Sequence, residues 1–180
     1  MIPIMSAPLL AQLRRLPAQQ AAIAQGAFLF HAGDPVSAMH LVEHGHAHLL
    51  RHQQDGTALV LQRAGPGAIL AEASLFAPRY HCDAIAASPL ALRRIPRATL
   101  RAALAADPDL AGAWAAHLSR EVQSARLRAE ILAIRGLAAR LDAWLAWHGP
   151  ALPPRGHWRA LAADLAVTPE ALYRELARRR

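Results

Sequence analysis

A series of glycines between Phe28 and Ala84 constrains this chain more than any other feature: Gly33-Asp34-Pro35, His44-Gly45, Asp55-Gly56 and Gly65-Pro66-Gly67, followed by Ala71-Glu72-Ala73-Ser74-Leu75-Phe76. Between them lie short apolar runs, Met39 to Val42, Ala47 to Leu50 and Ala58 to Leu61. Such runs suit strands closed by tight turns. Gly supplies positive φ there, and Asp55-Gly56 between apolar runs is a strong hairpin signal.

Outside this region the periodicity is helical. Pro8 to Leu16 and Pro96 to Ala105 read as short helices. Asp107-Pro108 then marks a helix start, because Asp caps exposed N–H groups and Pro at the first helical position gives up a donor that had no partner anyway. Leu110, Trp114, Leu118, Val122, Ala125, Ala129 and Leu132 recur at three and four residues along one stripe, and Leu127, Ile131 and Ile134 lie on a second face. A helix with two apolar faces needs two covers. Leu137 to Trp147 predicts a further amphipathic helix, stopped by His148-Gly149-Pro150. After a connector holding Pro153-Pro154, short helices are expected at about Trp158 to Ala166 and Pro169 to Arg179.

With 180 residues the chain can bury a core without staples, and its one cysteine, Cys82, rules out an intrachain disulfide. No run of eighteen uncharged apolar residues occurs, and no basic segment precedes the apolar start, so a soluble cytoplasmic protein with no membrane partner is expected. The net charge of +7 is uneven: nine Arg face seven acids over residues 1 to 110, and eleven Arg face six acids over 111 to 180. The C-terminal part is the better partner for a polyanion. All basic residues are Arg, which with the many alanines fits a GC-rich coding bias as well.

The glycine series with Glu72, Leu75 and Phe76 resembles the β-roll of the cyclic-nucleotide-binding domain, and Arg159 to Arg179 resembles a helix-turn-helix. Together they are similar to the bacterial Crp/Fnr regulators. The resemblance implies an α+β fold: an N-terminal double-stranded, jelly-roll-like sensor domain (1–106), a long dimerisation helix (107–134) and a small helix-turn-helix domain (135–180). It implies a homodimer with Leu110, Trp114, Leu118, Val122 and Ala125 at the interface, double-stranded DNA as partner, and RNA polymerase as a further one. A single helix lying on its own roll is the plainer alternative for that stripe. The lone cysteine excludes the four-cysteine iron–sulfur site of the fumarate-nitrate branch.

In this family the recognition helix resembles Ser-Arg-Glu-x-x-x-Arg, which Thr168, Glu170 and Arg174 match, while Pro169 replaces a base-reading Arg. Glu accepts from cytosine N4–H and Arg bonds guanine O6 and N7, so the pair can read neighbouring base pairs. Tyr173 falls on the same outer face. Arg178 and Arg180 can contact phosphate where the family carries a β-hairpin wing, since the sequence ends at Arg178-Arg179-Arg180 and no wing is evident. Ala166 stands where Gly is usual in the turn. Alone, Glu170 and Arg174 read equally as a surface i,i+4 ion pair.

Cyclic-nucleotide binders resemble Gly-Glu-x-x-Leu-Phe followed by Arg-Ser, with Glu on the ribose and Arg on the phosphate. Here Ala71 replaces Gly, and the Arg-Ser positions fall on Cys82 and Asp83. A desolvated phosphate without a charge-assisted partner is costly, so cyclic AMP is not the expected effector. Arg79 is the one cation nearby in sequence that can swing in. Any ligand is expected beside Ala71, Glu72, His81, Cys82 and Asp83; no cofactor is identified. His40, His44, His46, His48 and His52 crowd one segment. His46 and His48 can present two imidazoles from one strand face to a metal, or simply face solvent; no metal set is assigned. Likewise, His81 with Cys82 can bind haem iron or metal, or Cys82 is a small buried apolar residue.

No nucleophile–base–orienter set and no phosphate-binding glycine loop is present, so no catalytic residue is assigned and an enzyme is not expected. The expectation is a dimeric transcription regulator. The alternative is a ligand-, metal- or redox-sensing module with weakened DNA binding that acts through protein partners.

Overall fold

The computed structural model describes residues 5–56 and 58–179. The chain divides into two compact units, one extending to Glu121 and the other beginning at Val122. Eight antiparallel strands form two four-stranded sheets in the first unit: β1 (Gln19–Ile23), β8 (Leu90–Pro96), β3 (Ala38–His44) and β6 (Ile69–Leu70) in one, and β2 (Phe28–Phe30), β7 (Asp83–Ala86), β4 (Ala47–His52) and β5 (Ala58–Ala64) in the other. The three apolar runs anticipated as strands are β3, β4 and β5.

The order follows from which strands bury both faces and which bury one. β3 lies inside its sheet between β8 and β6, and five of its seven residues, Ala38 to Val42, are buried. β4 and β7 alternate instead: Ala47 pairs with Ala86 and Leu49 with Ala84 on the buried face, while His48 pairs with Ile85 and Leu50 with Asp83 on the other. Gly45 is required at the β3–β4 turn. Its φ is +79°, and a Cβ there would meet the Pro89 carbonyl oxygen at 2.1 Å.

Helix α1 (Ala7–Arg15) buries Leu9 and Leu13 in the roll's core, and α2 (Arg97–Ala106) buries Leu100. Helix α3 (Pro108–Ala133) begins as expected, with Asp107 Oδ1 accepting from the Asp109 and Leu110 amides at 2.9 and 3.0 Å. In the second unit, α4 (Leu137–His148), α5 (Trp158–Asp164) and α6 (Pro169–Arg178) close around Leu141, Trp144, Leu161, Ala162, Leu165, Leu172 and Leu176, with Ile131 of α3 in the same core.

The apolar stripe on α3 does not serve one purpose. Leu110 and Trp114, anticipated at the dimer seam, are 3% and 4% exposed in the core of their own roll, and Leu118 packs against that core. They are already covered. Val122, Ala125, Ala129 and Leu132 are exposed, Val122 by 48% and Leu132 by 36%. No helix among the described residues is long and apolar enough to cross a membrane.

Candidate nucleic-acid interface and ligand site

The α5–α6 pair has the small-residue packing that a helix-turn-helix needs. Ala162 is fully buried, so the helices approach closely, and the Val167 amide donates to its carbonyl at 2.9 Å across the turn. Ala166 adopts φ +52°, the left-handed conformation that L-residues enter at a cost of about 1 kcal/mol. Ala166→Gly is therefore expected to stabilise the second unit by about 0.5–1 kcal/mol, a rise in its thermal midpoint; a fall would mean that the turn is not strained. Thr168 Oγ1 accepts from the Ala171 amide at 3.2 Å and starts α6, with Pro169 behind it. Arg140 of α4 fixes the turn from below, donating to the Leu165 carbonyl at 3.0 Å and the Ile134 carbonyl at 2.8 Å.

Leu172, Glu175 and Leu176 face inward, which leaves Glu170, Tyr173 and Arg174 exposed on the opposite face of α6. Glu170 and Arg174 are not paired with each other. Tyr173 lies against Trp158 with ring centroids 5.7 Å apart, and Arg155 covers the Trp158 ring at 5.6 Å. No motif in the sequence signals that stack.

The terminal arginines have more partners than expected. Arg178 Nη2 donates to Glu175 Oε2 at 2.6 Å, although its side chain stays 74% exposed. Arg179 bonds Asp142, Glu175 and the Ala138 carbonyl, so it fastens α6 to α4. Arg180, anticipated at phosphate, lies outside the described residues. Arg174 and Arg178 line a groove of about 520 Å³ with Gly136, Leu137 and Ala138, where the first amides of α4 have no side-chain cap. Glu175 lines the same groove and holds Arg178, so Arg174 and the uncapped helix amides are what the groove offers a phosphate.

In the roll, Glu72 begins a short 3-10 turn (Glu72–Ser74) after Ala71, which takes φ +69° where the family pattern has Gly. Burial pushes the Glu72 carboxyl up to about 7, its own backbone amide pulls it down, and the Glu121 carboxylate raises it further. Glu72 Oε2 is buried without a hydrogen-bond partner. Ser74 Oγ and His81 Nδ1 are 3.0 Å apart, and Cys82 is 2% exposed on the core side. Ala71, Glu72, His81 and Cys82 therefore belong to one neighbourhood.

Asp83 does not join them. Strand alternation turns it to the other sheet face, where Oδ1 accepts from the Ala32 amide at 2.8 Å and Oδ2 lies 3.0 Å from His52 Nδ1, with His31 Nδ1 3.5 Å from Oδ1. The Ala32 amide, followed by His52 and His31, holds its carboxyl below the usual carboxylate range, against some desolvation. Arg79 is committed too, donating to the Gly33 carbonyl at 2.6 Å beside the Pro35–Arg79 bridge. The cation that sequence order hides is Arg51 on β4. Its Nη2 donates to the His81 carbonyl at 3.3 Å; burial and then this charge lower His81, and at Cys82 the same charge works against the effect of burial.

Burial nonetheless dominates at Cys82 and pushes its thiol up to about 11. A thiol held neutral and covered is a poor nucleophile and a poor metal ligand. The crowded histidines separate: His40 is buried against Phe30 with neither ring nitrogen bonded and is pushed down to about 4 by burial and Arg94, whereas His44, His46 and His52 are exposed. Among the described residues no three His, Cys, Asp or Glu side chains are arranged to hold a metal ion.

Residues 21–107 match the cyclic nucleotide-binding domain. No curated protein sequence is significantly similar to the chain. Solved structures are. FixK2 from Bradyrhizobium japonicum is 20% identical with a TM-score of 0.72, covering 91% of this chain and 84% of its own. The c-di-GMP-responsive global regulator CLP of Xanthomonas campestris is 19% identical with a TM-score of 0.67, covering 96% and 91%. The catabolite activator protein of Thermus thermophilus is 26% identical with a TM-score of 0.58, covering 97% and 82%. Residues 21–107 are thus a cyclic nucleotide-binding domain, and the two-sheet roll, long helix and C-terminal helices together are similar in fold to solved transcriptional regulators of the Crp/Fnr type.

Proposed function

We propose that the protein is a dimeric, cytoplasmic, one-component transcription regulator that binds double-stranded DNA through α6 and catalyses no reaction. The observation that carries this is α6 itself: a capped helix whose inner face is buried and whose outer face presents Glu170, Tyr173 and Arg174 to solvent beside a groove lined by Arg174 and Arg178. In a helix-turn-helix, such side chains enter the major groove while amides and arginines hold phosphates. Selection of DNA fragments with purified protein should return a twofold-symmetric site, bound with an affinity that falls steeply with salt. Retention of no DNA over background would overturn the proposal. The exposed second half of the α3 stripe supports pairing with a second copy, and RNA polymerase is the partner such a regulator acts on.

We further propose that cyclic AMP is not the effector in the family's usual pose. Position 82 offers a neutral, buried thiol and position 83 a carboxylate turned to the other sheet face. Calorimetry with cyclic AMP is expected to show no binding tighter than millimolar; micromolar binding would refute this. A thiol-redox signal is disfavoured by the same burial of Cys82.

A further inference from the structure

Trp158 is fixed both by a hydrogen bond and by packing: its Nε1 donates to the Pro153 carbonyl at 2.9 Å, and its ring packs against the core that α4, α5 and α6 share. Tyr173 of α6 lies against that ring with centroids 5.7 Å apart and planes tilted by 47°, and the Arg155 guanidinium lies 5.6 Å from the ring centre. The three side chains come from different parts of the unit. Arg155 opens the 3-10 turn Arg155–His157, where the His157 amide donates to the Pro154 carbonyl at 2.8 Å; Trp158 starts α5, and Tyr173 is on the outer face of α6. A tilted ring pair and a cation over a ring are both held by the ring quadrupole. One indole therefore orders two side chains that would otherwise turn freely in solvent.

We infer that Arg155, held over Trp158, binds a phosphate of the DNA strand bordering the groove that α6 enters, and that Trp158 is the positioning residue that sets Arg155 and Tyr173 relative to one another. The inference rests on the reading of α6 as the DNA-binding helix and adds a contact from outside it. Arg155 has no hydrogen bond and no ion pair among the described residues, so all five of its N–H donors remain for a ligand. The ring face attracts the cation without using any of them. Arg155 is exposed and Tyr173 is 41% exposed, so DNA reaches both without the unit opening. Spacing decides the kind of contact. The two steps from Tyr173 to the guanidinium are 5.7 and 5.6 Å, and they lead off α6 to the residues just before α5. In a helix-turn-helix the first helix crosses the backbone, and the major groove is only about 12 Å wide, so a cation there meets the phosphates at the rim and not the base edges. Phosphate contacts fix register and orientation. Arg155 thus sets where Glu170, Tyr173 and Arg174 meet the bases.

Mobility shifts with the full chain, on the selected site and on an unrelated duplex of equal length, test this across a range of salt. Arg155→Ala should weaken both duplexes alike, by about three- to tenfold at 0.15 M salt, and lower the slope of log affinity against log salt by about one for each bound copy. Arg155→Lys should keep the slope and lose part of the affinity, since an ammonium keeps the charge without the planar fork. Trp158→Phe leaves a ring for Arg155 and should stay near the unaltered protein. Trp158→Leu keeps an apolar side chain but no ring face; it should lose as much as Arg155→Ala, and the double variant no more than either. Losses that multiply would make Trp158 merely structural and overturn its positioning role. Circular dichroism checks the fold, and if Trp158→Leu unfolds the unit, Arg155→Ala at its exposed position still decides. If Arg155→Ala leaves affinity and salt slope unchanged on DNA that Arg174→Ala weakens, this inference falls and the reading of α6 stands. If the unaltered protein retains no DNA, both fall. A changed base preference in Arg155→Ala, in place of a uniform loss, would put the guanidinium on a base and overturn the phosphate assignment.

Discussion

Replacing Val122 and Leu132 together by Asp is expected to turn the protein into a monomer and lower its affinity for a two-half-site DNA by about 10² or more, the avidity lost when two linked contacts become one. The two side chains lie on the exposed part of the α3 stripe, 48% and 36% accessible, with Ala125 and Ala129 exposed between them. Small residues between two branched ones allow a second helix to approach closely. In a twofold seam each new carboxylate faces its symmetry mate in a desolvated setting, where like charges cannot neutralise one another. Sedimentation velocity checks the assembly and circular dichroism the fold. A variant that still sediments as a dimer with its fold intact would place the interface elsewhere. Trp114→Asp makes the contrast, because Trp114 is 4% exposed in the roll's own core. That change buries an unpaired charge and should unfold the roll, at a cost of several kcal/mol, before it says anything about assembly.

Sequence pattern was enough for the roll because its turns have few chemical solutions. Gly45 cannot carry a Cβ, and the apolar runs between the glycines are too short to be helices. Asp107-Pro108 and Thr168-Pro169 likewise declare helix starts, since each places a side-chain acceptor and then a residue without a donor where a helix begins. What periodicity could not separate was burial within a chain from burial between chains. Leu110 and Val122 have the same spacing and hydrophobicity on one stripe, yet one is 3% and the other 48% exposed. The ligand site was half legible for a related reason. Linear order places Glu72 and Cys82 in one loop and points to Arg79 as the nearest cation, but Arg79 is held by the Gly33 carbonyl. Arg51 lies thirty positions before His81 and reaches its carbonyl only because β4 and β7 pair. Pairing register is not printed in a sequence, so a cross-strand cation is invisible until the sheet is built. Asp83 shows the same limit in reverse, being adjacent to Cys82 in sequence and on the opposite face in space.

Arg174→Ala is expected to weaken binding to the selected DNA site by about 1–3 kcal/mol per half-site and to relax the preference at one guanine in each half. Three arginines crowd the end of α6, and their partners decide which of them can read a base. Arg179 is held by Asp142, Glu175 and the Ala138 carbonyl, so moving it to DNA would break the tie between α6 and α4. Arg178 shares Glu175 at 2.6 Å and, with its side chain 74% exposed, can hold a phosphate while keeping that pair. Arg174 has no carboxylate partner among the described residues and lies one turn after Glu170 on the exposed face of α6. A guanidinium that need not leave a partner gives DNA its full bidentate bond, whereas one drawn from an ion pair returns only the difference. Arg178→Ala should therefore lower affinity for all sequences alike, by a smaller factor, and reduce the salt dependence of binding by about one phosphate contact. Mobility shifts against the selected site and single-base variants separate the two effects. If Arg174→Ala leaves both affinity and base preference unchanged, α6 does not enter the major groove by this face.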